Sequence, residues 1–154
     1  MERETGLRHC GSCELRYGEN FLAFQDIQSD FNDPYWGRGC YDSGWLMKVS
    51  SDGFSGTGYW GCGWKDLCRF TEELGALYEF QCREVGLRDA EYGCWFRLVM
   101  NKTGRITVSG VLYGEARAQT LSFEFQADQA ALKPFLQQLR QICDMGKDRG
   151  RDQP

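Results

Sequence analysis

Thr120–Ala127 reads TLSFEFQA and runs without a gap into Asp128–Cys143, DQAALKPFLQQLRQIC. In the first stretch Leu121, Phe123, Phe125 and Ala127 alternate with Ser122, Glu124 and Gln126, the period of a half-buried strand. In the second, Leu132, Phe135, Leu136, Leu139 and Ile142 recur at helical spacing. Asp128 marks the change of period and suits a helix start. Pro134 lacks an N–H and resists a helix interior, so a short turn over 128–132 and a regular helix from about Pro134 are expected. A strand feeding directly into an amphipathic helix needs a sheet for that helix to cover.

The same change of period occurs upstream. Phe54, Gly56, Gly58, Trp60 and Cys62 share one face of an alternating segment, and Leu67, Phe70, Leu74, Leu77 and Tyr78 then form a helical stripe. Gly75 weakens that helix by about 1 kcal/mol relative to Ala. Before it, Glu14–Gly18 and Phe21–Gln28 read as strands around a Gly18-Glu19-Asn20 turn, with Leu15, Tyr17, Phe21, Ala23, Gln25 and Ile27 on one side. Trp45–Ser50 is a third strand, closed by the turn Ser51-Asp52-Gly53. After the helix, 84–93 reads as a polar connection, and Cys94–Asn101 and Arg105–Leu112 precede the opening stretch as two more strands. The order is four strands, helix, three strands, helix, which hints at an internal repeat. The expected fold is α+β, a mainly antiparallel sheet of about seven strands with two amphipathic helices packed on it. Residues 1–145 form one domain, with 1–13 a flexible lead-in and 146–154 a disordered polar tail.

A hydrophobic content of 42% against 26% charged residues supplies a core and excludes wholesale disorder. The net charge of −4 disfavours phosphate backbones, and no basic stripe interleaved with aromatics is present, so direct nucleic-acid binding is not expected. No stretch reaches the ~18–20 apolar residues of a membrane span, and no secretory signal is visible. The expected location is the cytoplasm, where the eight cysteines remain thiols.

Catalytic constellations are scarce. His9 is the one histidine, so a Ser-His or Cys-His pair has little material, and no nucleophile elbow or P-loop occurs. The chain is therefore not expected to be an enzyme, and no cofactor is implied. Gly56-Thr57-Gly58-Tyr59-Trp60-Gly61 fits a dinucleotide fingerprint, but Tyr59 and Trp60 would crowd a pyrophosphate, and a glycine-rich strand explains it better. Cys10 and Cys13 have the spacing of half a zinc site, or of a redox pair, and no second pair follows them. Acids in the loops could also assemble a small carboxylate site.

The long loop between the second and third strands carries a more specific pattern. Asp30, Asp33, Tyr35, Trp36, Arg38, Tyr41 and Asp42 place carboxylates, large rings and an arginine in one segment. Long loops in compact domains are often functional, and aromatic and Arg residues are common interface anchors. A partner-binding surface is one reading; rings that cap the open end of the sheet are the other.

Asp52-Gly53-Phe54-Ser55-Gly56, Leu74-Gly75-Ala76-Leu77-Tyr78, Arg97–Gly110 and Leu121–Gln129 leading to Leu136 together resemble the WapI family of bacterial immunity proteins, in matching order over Phe21–Arg140. The cysteine-bearing N-terminus and Trp60–Trp64 depart from that pattern. The resemblance implies a cytosolic, non-catalytic protein that blocks a cognate polymorphic-toxin domain by binding it. Such toxins are often basic nucleases, which an acidic inhibitor would reach by electrostatic steering.

Overall fold

The computed structural model describes residues 7–34, 36, 42–114 and 117–151, with side chains described as far as Lys147. Leu7–Tyr17 (β1), Asn20–Asp30 (β2), Ser43–Ser51 (β3) and Phe54–Cys62 (β4) lead into the helix Trp64–Tyr78 (α1). Glu84–Arg88 (β5), Trp95–Met100 (β6), Arg105–Tyr113 (β7) and Thr120–Asp128 (β8) lead into the helix Gln129–Arg151 (α2). Two antiparallel sheets, β1-β2-β3-β4 and β5-β6-β7-β8, result. The α+β class stands, and its strands divide into four and four, so each half is a meander that ends in a helix.

The additional strand is β5, in the segment that reads as a polar connection. Its alternation rests on Val85 and Leu87 alone, flanked by Glu84 and Arg88. Pairing with β6 supplies the rest, and Gly86 allows it: a Cβ there would lie 2.7 Å from the Phe96 carbonyl oxygen. β1 is also longer than its apolar pattern suggests. It starts at Leu7, and His9 Nδ1 lies 2.7 Å from Asp26 Oδ1 on β2.

Alternation in β2 is broken by a bulge. Leu22 and Phe24 are fully buried, and after the register shift between Gln25 and Gln28 so is Ile27. Asp26 takes a left-handed φ of 53° at the bulge. A uniform period of two therefore puts Phe21 and Gln25 on the wrong face. In β4 the even-numbered face turns inward only from Gly58, with Gly58, Trp60 and Cys62 buried, while Phe54 at its start is exposed. The fingerprint glycines serve sheet packing: a Cβ on Gly56 would come within 2.6 Å of Leu121 Cδ2, across on β8.

α2 runs from Gln129 through Pro134 without interruption, contrary to the expected turn at 128–132. The Asp128 carboxylate accepts the Ala131 N–H at 3.0 Å, capping the helix directly. Pro134 forfeits one early i→i−4 bond. A break there would expose the stripe of Leu132, Phe135, Leu136, Leu139 and Ile142, all buried. The helix continues beyond Met145 to Arg151, into the segment read as a polar tail, and Gly146 is packed against Trp64.

Sheets and helices meet in an aromatic centre. Phe24 of β2 stacks on Trp45 of β3 at 4.7 Å and meets Phe96 of β6 at 5.7 Å and Phe135 of α2 at 5.5 Å. Phe70 of α1 meets Phe96 at 5.3 Å. Each such pair adds about 0.5–1.5 kcal/mol beyond burial. Away from it, the buried Asp89 carboxylate accepts backbone N–H groups of Gly61, Glu91 and Tyr92, and the Ala90 N–H donates to the Gly61 carbonyl. The end of β4 is thereby tied to the chain that follows β5.

Candidate functional site

Residues 31–42 join β2 to β3, and Asp42 at the end of this connection meets the N-terminus of α1. Its first turn is set by Asp30: the Asn32 N–H donates to the Asp30 carboxylate at 3.2 Å and the Asp33 N–H to the Asp30 carbonyl at 3.1 Å. The Trp36 N–H donates in turn to the Asp33 carbonyl at 3.0 Å. The ends of the loop are held together by the Asp30 N–H and the Asp42 carbonyl, 3.4 Å apart.

Beneath these turns lies a buried relay of side chains. Trp36 Nε1–H donates to Ser29 Oγ at 2.9 Å, and the Ser29 hydroxyl donates to the Asp42 carbonyl at 2.8 Å. The Ser43 hydroxyl lies 3.1 Å from Ser29 Oγ. Asp42 Oδ1 accepts the Trp64 N–H, the first of α1. Gly63 offers no side-chain cap to that helix, so the Asp42 carboxylate supplies both an acceptor and the favourable charge.

Three rings close the base of the loop. Phe31, buried, meets Trp36 and Trp64 edge-on at 5.1 Å each, and Trp36 and Trp64 lie 5.9 Å apart. The Arg8 guanidinium sits 5.8 Å from the Phe31 ring centre, bringing β1 to the same cluster. Burial pushes the nearby Cys62 thiol well above its ordinary range, with the charges of Asp66, Asp42 and Asp89 adding to the effect.

The structure therefore separates the seven residues singled out in the sequence. Trp36 and Asp42 hold the loop against α1, and Asp30 and Asp33, both half-buried, form its first turn. Tyr35, Arg38 and Tyr41 lie outside the described residues. Phe31, Ser29 and Ser43, which sequence reasoning passed over, complete the assembly. Their signal was faint: two serines at strand ends and one phenylalanine just beyond a strand.

Cys10 and Cys13 both lie on β1 and are buried. Burial raises both thiols, and the charge of Cys143 on α2 adds to the shift at each. Among the described residues, no three ligand-type side chains are grouped so as to hold a metal ion. No helix among them is long and apolar enough to cross a membrane.

A four-strand meander followed by a helix, made twice, with one long braced loop in the first half, defines the class of domain. The model of the immunity protein WapI-like family matches residues 15–145, and the chain belongs to that family. The match includes the loop, α1 and nearly all of α2's described side chains, and it begins after Cys10 and Cys13. No curated protein matches the sequence. Among solved structures, crystal structures of Trypanosoma bruciei MRP1/MRP2 align at 10% identity and a TM-score of 0.45, covering 92% of this chain and 84% of that one.

Proposed function

We propose that this chain is an immunity protein that neutralises a cognate toxin domain by binding it directly in the cytoplasm, without catalysis. Membership of the WapI-like immunity family across 15–145 is the observation that carries this reading. The proposed contact surface is the loop of Asp30, Asp33, Tyr35, Trp36, Arg38, Tyr41 and Asp42, with Trp36 and Asp42 acting from beneath as its supports. The described residues of the loop are fastened to a helix N-terminus and a ring cluster, so holding those residues in place costs little conformational entropy on docking.

The partner is proposed to be a basic domain, such as a nuclease. A chain of net charge −4 would attract it, and carboxylates at the loop's first turn would guide the encounter. A toxin domain encoded beside this chain's gene is expected, and co-expression with it is the test. Cells that make both should grow, and cells that make the toxin alone should not. Equal killing in the presence of well-folded immunity protein would refute the proposal.

A further inference from the structure

α1 and α2 are separated on their outer side by a groove of about 670 Å³, whose lining includes Cys68, Thr71 and Gly75 from α1 and Arg140, Cys143 and Lys147 from α2. The Arg140 guanidinium lies over Gly75, with Nη2 2.8 Å from where a Cβ would stand. Cys68 of α1 and Cys143 of α2 both line this groove. Thr71, one turn along α1 from Cys68, places its hydroxyl 3.4 Å from Cys143 Sγ. That hydroxyl also lies 2.9 Å from the Leu67 carbonyl and can turn toward the sulfur when the sulfur carries charge.

We propose that Cys68 and Cys143 form an oxidation site for a small peroxide, which closes into a disulfide that bridges α1 and α2. Both residues line an open groove that a peroxide can enter, and Thr71, one turn from Cys68 on α1, touches the Cys143 sulfur from the facing helix. Cys143 is the attacking sulfur. Interaction with the Cys68 thiol, aided by Thr71 and Lys147 and opposed by burial and Asp144, holds its thiol below the ordinary range. Cys10, Cys13 and Cys62 are shifted the other way by burial.

In the first step the Cys143 thiolate attacks one oxygen of hydrogen peroxide. The O–O bond breaks, an S–O bond forms, and the departing hydroxide takes a proton to become water. In the second, Cys68 sulfur attacks the Cys143 sulfenic sulfur. The S–O bond breaks, an S–S bond forms, and the released oxygen leaves as water with the Cys68 proton. Two thiols lose two electrons in all, and one peroxide becomes two waters.

The test uses the reduced full-length chain, equimolar hydrogen peroxide, alkylation of the remaining thiols and peptide mapping. The Cys68–Cys143 cross-linked peptide is expected as the main product, with Cys143 consumed at least about tenfold faster than Cys62. Closing the long intervening segment should raise Tm by about 5–10 °C, reversibly with dithiothreitol. In Cys68→Ala, Cys143 should instead be trapped by dimedone as the sulfenic acid, with no cross-link. Mapping of the wild-type chain decides the matter even if that variant does not fold. Two thiols left intact, or a bond from Cys143 to Cys10 or Cys13, would overturn the proposal. Toxin binding enters none of these readouts, so its failure would be a separate result.

Discussion

The two halves of the molecule share one topology and use it differently. In the second half, β6 turns into β7 through Asn101–Gly104, a tight turn in which the Asn101 carboxamide accepts the Thr103 N–H, the Thr103 hydroxyl and the Arg105 N–H. In the first half, the corresponding region between β2 and β3 expands into the 30–42 loop, fixed by Ser29, Trp36, Asp42 and Trp64. The β6–β7 connection is four residues, 101–104, and the β2–β3 connection is twelve, 31–42, with its described ends braced. A repeated scaffold with one enlarged loop is how a stable fold acquires a specific surface.

The halves should also differ in how they tolerate a methyl group, and this gives the largest expected effect. A Cβ on Gly110 of β7 would lie 2.4 Å from the Trp95 carbonyl oxygen and 2.9 Å from Phe96 Cα, both backbone atoms that cannot yield alone. Gly110→Ala should cost about 2–3 kcal/mol in denaturant unfolding. At Gly56 in the first half the tight contact is Leu121 Cδ2, a side-chain end that can rotate, so Gly56→Ala should cost about 1 kcal/mol or less. Equal losses would show that the two sheets do not make these different approaches.

Next in size is the loop brace. Asp42→Ala removes the acceptor for the Trp64 N–H and should cost about 1–2 kcal/mol, with faster amide exchange in the loop and the first turn of α1. Asn101→Ala, in an exposed turn, should cost about 0.5–1 kcal/mol and leave the loop's exchange unchanged. A loop that exchanges no faster after Asp42→Ala would remove the case for the brace.

Smaller in stability, though informative about function, is charge reversal at Asp30 and Asp33. Replacing both with Lys should leave Tm within a few degrees and slow association with a basic toxin about tenfold at low salt. An unchanged on-rate would place the contact surface elsewhere.

The smallest effect is a pH dependence in β1–β2. The hydrogen bond from His9, with one from Gln28, holds the exposed Asp26 carboxyl below the ordinary carboxylate range. A lowered folded value means the contribution is present above the unfolded pKa of about 3.9 and is lost as pH falls through the folded one. Asp26→Asn should therefore lower stability slightly at neutral pH and leave it almost unchanged in acid, where the contribution is already lost, so the acid limb of the stability curve flattens. A steeper acid limb in the variant would reverse the sign assigned here.

Much of this architecture was legible because the apolar residues keep strict time. Leu121–Ala127 and Leu132–Ile142 announce strand and helix through their period, and Phe54–Cys62 followed by Leu67–Leu77 repeats the signal. The features that escaped are those where tertiary pairing outweighs local pattern. β5 has two apolar residues and becomes a strand because β6 lies beside it. The Asp26 bulge shifts Ile27 inward without a glycine to mark it. Pro134 stays helical because the apolar stripe on both sides of it is worth more than one backbone bond. In the loop, Trp36 and Asp42 have the composition of interface anchors, and only their partners, Ser29 and the N-terminus of α1, reveal that they face inward. Oppositely directed rings and carboxylates look alike in a sequence.

The central claim is that this chain acts by binding a toxin domain through a preorganised acidic surface. Titrating the purified chain with the candidate toxin domain against which it protects cells in co-expression, at low and at physiological salt, tests it most directly. A one-to-one complex is expected, whose association slows as salt rises while dissociation changes little. The absence of any complex at micromolar concentrations of both folded proteins would contradict it.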